Sequence, residues 1–301
     1  MSRLVLALSV LAALLAACAP VDLDAPVPTF ETSVDPNAWV SVPAGVFLAG
    51  QHADPVTIDY NYQILVTDVT GAQYVDFLNA ALADGTVRID AHAVMGTYPG
   101  DTYGGVKHEV RIDPGEYSLV PLDDPASRFT FDGQAFAVKS GWEDHPMTNV
   151  TWFGARAYCS YYGWRLPTEK EWEKAARGTD GRAYPWGGEL TRNHANFYGS
   201  RDPFEDMSTF GSRTTPVGFY RGKAYDRHVT HDAASPYGLY DMAGNVWQWT
   251  ADMPGEPGFS DRFMRGGSKD SYARDLRVWV RNSAPPTYYS PGVGFRCARQ
   301  E

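Results

Sequence analysis

Glycine and proline interrupt this chain too often for long regular elements, with 29 Gly and 21 Pro among 301 residues. Each glycine permits a turn, and each proline fixes φ and removes a backbone donor, so neither suits a helix interior or a central strand. Order must come from elsewhere, and aromatics at 14%, including 9 Trp, can supply it. The expectation is a loop-rich fold pinned by large rings, not a helical bundle. Apolar residues at 44% and charged residues at 21% are ordinary for a globular chain, which excludes a disordered chain and a multi-span membrane protein. A net charge of −10 argues against a nucleic-acid surface, which needs a clustered basic excess.

The first 17 residues read as a secretory signal. Arg3 gives the positive start, and the apolar run 4–15 is shorter than the ~20 residues that span a bilayer. It ends in Leu15-Ala16-Ala17-Cys18, which resembles a bacterial lipobox and implies cleavage before Cys18 and acylation of its thiol. The competing reading is an ordinary signal with an unrelated cysteine. Ala19, not Asp, follows Cys18, which points to the outer membrane and a periplasm-facing domain. Residues 18–38 carry Pro20, Pro26, Pro28, Pro36 and several acids, and read as a flexible tether. The folded part is expected over residues 39–301, enough for one sizeable core. Two further cysteines, Cys159 and Cys297, most simply pair in an exported protein, for about 4–5 kcal/mol on the chain-entropy model. Free buried thiols and a redox pair are the alternatives.

Alternation and a Pro-Ala-Gly turn predict strand and turn over 40–48, and a second strand over 63–69. Thr70 should cap a helix over 71–82 that turns Tyr74, Phe77 and Leu78 to one face. Residues 84–139 read as a long irregular insertion with strand pieces, 146–152 as a strand and 153–162 as a helix. Thr168 and Glu171 form a capping box for a helix that Gly178 stops.

Several segments together resemble the formylglycine-generating-enzyme family, also called the sulfatase-modifying-factor domain. They include His145-Pro146-Met147-Thr148-Asn149-Val150-Thr151-Trp152, Arg165-Leu166-Pro167-Thr168-Glu169 and Tyr184-Pro185-Trp186-Gly187. Tyr237 through Trp249 (YGLYDMAGNVWQW), Arg265-Gly266-Gly267-Ser268 and Gly294-Phe295-Arg296-Cys297 complete the set. Order and spacing match over roughly residues 40–299. The resemblance implies a single loop-rich α+β domain of the C-type-lectin-like kind, with few helices and short sheets. It also implies a Cys159–Cys297 bridge and a core role for Trp152, Trp164, Trp172, Trp186, Trp247 and Trp249.

The family enzyme oxidises a substrate cysteine with two copper-binding cysteines just after the Gly-Gly-Ser turn. Those positions fall on Ser271 and Leu276, neither of which is a soft ligand for Cu(I). Formylglycine synthesis and a copper cofactor are therefore not expected, and Ser268, Ser271, Asp275, Leu276 and Arg277 would line a degenerate cleft. Arg265, Arg277 and Arg281 flank it, most simply as braces. The resemblance also implies structural calcium, one ion at Asn196, Phe197 and Asp206. A second set, Ala243, Gly244, Val246 and Gln248, has Gln where a Glu is expected, which weakens a hard-cation site. His228 and His231 with Asp232 are a candidate metal cluster against a solvated-loop reading. His52, His92, His108 and His194 stand isolated, and Tyr288 and Tyr289 sit in a loop suited to partner contact.

Two functions follow. One is a lipid-anchored binding or assembly module of the cell envelope, a pseudoenzyme whose partner is an envelope protein or glycan. The other is an enzyme with different, metal-dependent or metal-free, chemistry in the same cleft. Among the nucleophile and metal motifs, no GxSxG, HExxH or P-loop appears.

Overall fold

Each of the three α-helices among the described residues starts where a threonine can cap it. The computed structural model describes residues 21–102, 110–253 and 260–301. The expected signal segment, the expected lipidation residue Cys18, and His108 lie outside them. Before helix α1 (Gly71–Ala83), the Thr70 hydroxyl accepts from the Gln73 N–H at 3.2 Å while the Gln73 side chain accepts from the Thr70 N–H at 2.9 Å. Thr151 caps α2 (Trp152–Tyr161), and Thr168 with Glu171 closes the predicted capping box on α3 (Glu169–Arg177). Acids in the first turn of α3 and bases in its last turn match the helix dipole, and Gly178 ends it at φ 69°.

The strands are short, as the glycines and prolines require. β1 (Trp39–Val42), β2 (Gly45–Ala49), β3 (Asp54–Ile58) and β4 (Tyr62–Leu65) open the fold, with β2–β3 a hairpin and β1 antiparallel to β4. The insertion is more regular than its sequence predicts. β5 (Val87–Asp90), β6 (Ala93–Tyr98) and β7 (Gly115–Pro121) form an antiparallel meander, followed by the hairpin β8 (Phe129–Phe131) and β9 (Phe136–Val138). Two-residue pairs follow: β10 (Glu205–Asp206) with β11 (Gly211–Ser212), and β12 (Ala224–Tyr225) with β13 (His228–Val229). β14 (Trp247–Trp249), β15 (Arg262–Arg265), β16 (Arg281–Ala284) and β17 (Val293–Gly294) make one sheet in the order β16-β15-β14-β17. β18 (Ala298–Gln300) lies antiparallel to β4, so the end of the chain joins the opening sheet.

The segment 146–152 is not a strand, because its backbone groups go to scattered partners. The Met147 N–H donates to Val69 O, Asn149 to Ser290 O and Thr151 to Leu119 O, and Asn149 has φ 56°. The stretch read as a flexible tether is likewise different from Val21 onward. Arg213 donates to the carbonyls of Asp22, Ala25 and Pro26, and Lys223 to that of Glu31. Phe30 packs on Phe204, Phe219 and Tyr225 with centroids 5.3–6.0 Å apart, and Thr32 is buried. Residues 21–34 are therefore a strap laid on the domain.

One core surrounds α1 and α2. Tyr74 stacks on Tyr158 at 5.7 Å, and Phe295 meets both edge-on. Cys159 is bonded to Cys297 in this cluster, which ties α2 to the chain's end. Gly154 is required there: a Cβ would lie 2.3 Å from Leu119 O. A second core gathers Phe47, Ile58, Tyr62, Ile64, Trp172, Leu239 and Val278. Trp152, Trp172 and Trp249 are buried as expected, whereas Trp164, Trp186 and Trp247 are only half-buried.

Candidate functional site

The end of the inner strand β15 leads into the Gly266-Gly267-Ser268 turn, with both glycines at positive φ. The Ser268 N–H donates to Ser271 Oγ at 3.0 Å, and the two hydroxyls stand 3.4 Å apart. Ser271 thus closes a local turn. Among the described residues no His, Asp, Glu or Lys side chain bonds its hydroxyl. Leu276 is fully buried against a cluster that includes Tyr184, Ala195 and Ala243. Asp275 faces Arg274 at 3.5 Å, and Arg277 lies over the Trp279 ring at 5.9 Å. The two positions of the family's thiol pair are a turn cap and a core side chain.

The arginines behind this turn are braces. Arg265 is fully buried and donates to Glu169 at 2.8 Å, Glu173 at 2.7 Å and the Val278 carbonyl. Arg281 reaches Glu169 at 3.1 Å. Burial raises the Glu169 pKa, and the arginines only partly offset it.

Of the groups named for calcium, the Gln248 amide and the Asp206 carboxylate serve other bonds. Gln248 Oε1 accepts from Trp172 Nε1 at 2.7 Å and Arg296 Nε at 2.8 Å, and its amide donates to Asp241 O. Both lone pairs of that oxygen are in use, so the Gln248 side chain has none left for a hard cation. Gly244 instead lets its backbone approach the Asn196 carbonyl, where a Cβ would sit 2.3 Å away. At the other set, Asn196 Oδ1 is buried without a partner, but the Phe197 carbonyl accepts from Ser200. Asp206 turns its carboxylate to the N–H and hydroxyl of Ser208. The buried carboxylate of that stretch is Asp202, which accepts from Ser200, Phe204 and Tyr220 and is pushed up to about 6 by burial.

His228 and His231 do not act together. His228 stacks on Phe219, while His231 Nδ1 lies 3.1 Å from His194 Nε2, a residue the sequence left isolated. The Thr191 N–H donates to His194 Nδ1, so Nε2 carries the proton shared with His231. Among the described residues no group of three or more His, Cys, Asp or Glu side chains could hold a metal ion. His145 is buried against Thr214, and burial pushes it down to about 3.

A pocket of about 790 Å³ opens elsewhere, beside α2. Trp152, Arg156 and Ser160 line it from positions i, i+4 and i+8, one face of the helix. Tyr60, Tyr98, Asp101, Arg165 and Arg262 complete its walls. Arg262 donates to both Asp101 oxygens at 2.7 and 2.9 Å and lies over Trp152 at 4.5 Å, leaving its Nε unpartnered. Burial alone would raise the Asp101 pKa, but the Ile112 N–H, the Tyr98 hydroxyl and Arg262 outweigh it and hold it below the usual carboxylate value. Arg165 donates two parallel hydrogen bonds to the Glu171 carboxylate at 2.6 and 2.7 Å. Arg156 lies over Tyr98 at 4.7 Å and, among the described residues, pairs with no carboxylate. Sequence reasoning missed this pocket, although the helical spacing of Trp152 and Arg156 was readable.

Comparisons with known proteins show the family and the fold. The model of the sulfatase-modifying factor enzyme 1-like domain matches residues 25–301, beginning inside the strap. The formylglycine-generating enzyme of Streptomyces coelicolor is 39% identical over 181 residues, 53% of this chain and 54% of that protein. The inactive C-alpha-formylglycine-generating enzyme 2 of Bos taurus is 37% identical over 162 residues, 52% of this chain and 50% of that protein. The chain thus spans about half the length of these curated relatives. The solved structure of PvdO from Pseudomonas aeruginosa shares the fold, with a TM-score of 0.58 at 21% identity over 92% of this chain and 99% of that one. This chain belongs to the family of sulfatase-modifying factor enzyme 1-like domains.

Proposed function

We propose that the protein is a lipid-anchored binding or assembly module of the cell envelope, not an oxidase of substrate cysteines. It is exported, acylated at Cys18 and held at the outer membrane facing the periplasm. The observation that carries this reading is the fate of the two thiol positions, where Ser271 caps a turn and Leu276 fills a core. Neither side chain offers a soft donor to Cu(I), and the thiols of Cys159 and Cys297 are bonded to each other. A bovine relative named as inactive supports a non-catalytic use of the domain.

The ligand enters the pocket beside α2. A guanidinium that pairs with no carboxylate among the described residues, backed by an aromatic ring, takes an acidic group in two parallel hydrogen bonds. The partner is therefore an acidic group on an envelope protein or glycan, and not a nucleic acid. The purified protein, supplied with Cu(I) and a cysteine-containing peptide, should bind no stoichiometric copper and form no formylglycine. Copper uptake with peptide oxidation would overturn the reading.

A further inference from the structure

The strap changes where a lipid anchor would place this domain. A free 20-residue tether has a root-mean-square reach of ~25 Å and would let the domain turn any face to the membrane. The chain is instead fixed at Asp22, whose N–H donates to the Thr209 carbonyl at 3.0 Å and whose own carbonyl accepts from Arg213 at 3.0 Å. Only four residue steps separate Cys18 from Asp22, at most about 14 Å of extended chain. The acyl chains on Cys18 must then bring the β10–β11 hairpin close to the lipid headgroups.

That edge has the side chains for the contact. Met207 at the hairpin tip is 60% exposed, and Val21 and Leu23 on the strap are 49% and 38% exposed. Val21 lies against Gly211 on β11, so strap and hairpin form one edge. Asp22, Asp24 and Asp206 on the same edge are acidic, which disfavours an anionic lipid surface and suits a zwitterionic one. We propose that Val21, Leu23 and Met207 rest on a zwitterionic bilayer and fix the orientation of the domain, a few apolar side chains adding to the acyl anchor. This inference rests on the reading that Cys18 is acylated.

The test uses the full-length lipoprotein in vesicles of phosphatidylethanolamine and phosphatidylcholine. In Met207→Cys the new thiol is the one open to labelling, with Cys18 acylated and Cys159 bonded to Cys297. A fluorophore there is exposed to bromine-labelled lipids, with Val46→Cys on β2 as the reference position. Quenching at least threefold stronger at 207 than at 46 is the expected result. Equal, weak quenching at both positions, with mass spectrometry showing acyl chains on Cys18, overturns the orientation while leaving the anchor in place. An unacylated Cys18 overturns the anchor reading, and the orientation with it.

Discussion

Gln248 makes three hydrogen bonds that no apolar residue of its shape could replace. Gln248→Met would leave Trp172 Nε1, Arg296 Nε and the Asp241 carbonyl without these partners in a buried core. A cost of about 2–4 kcal/mol is expected in urea unfolding, and a loss under about 0.5 kcal/mol would contradict the bonding described. Asp202 makes a prediction of the opposite kind. Its folded-state pKa of about 6 lies above the unfolded value of 3.8, so the folded state holds its proton more tightly. The stability this gives is present below pH ~4 and is lost as pH rises through about 6. Asp202→Asn has no proton to lose and should gain on the wild type by about 1–3 kcal/mol between pH 4 and 7.5. Parallel pH profiles for the two proteins would refute the burial cost. At this scale the sequence singled out Ser271, Leu276 and Gln248, and the structure gives each a local role in a turn or a core. The sequence could not reveal what each does, because the partners of Gln248 lie 7, 48 and 76 positions away.

Helices were the most legible elements, since a threonine cap and a 3.6-residue period are local signals. The predicted start of α1 after Thr70 and the capping box of α3 agree with the structure. The strap was illegible for a physical reason. Its composition cannot build a core, and it is held through carbonyl oxygens, which every residue has, by arginines and a lysine from about 190 positions away. Phe30 is its main side-chain contact with the domain. Phe30→Ala should loosen residues 21–34 by about 1–3 kcal/mol and speed protease cleavage there, with the domain itself still folded. Unchanged protection of the strap would mean that the carbonyl bonds suffice without the ring. The strand pieces expected in the insertion are present, but their pairing into a meander was not legible, because glycines and acids hide the alternation in Val87-Arg88-Ile89-Asp90 and the strands that answer it.

The whole molecule is closed by contacts between its ends. β4 lies between β1 and β18, Cys159 is bridged to Cys297 across 138 residues, and Arg296 donates to Leu65 O and Val66 O. The family motifs made the fold legible, but pairings over more than 200 residues leave no local trace. Replacing both cysteines with serine should cost about 5 kcal/mol on the chain-entropy model, seen as a lower Tm. A reductant should lower the Tm of the wild type alone.

We propose that this domain binds an acidic group at Arg156 in the pocket beside α2. The most direct test is crosslinked capture of the lipidated protein from its own envelope, compared between wild type and Arg156→Glu. A near-stoichiometric protein or glycan partner, held by the wild type and reduced at least tenfold by the charge reversal, is predicted. Equal capture by both proteins, or no partner with either, would contradict it.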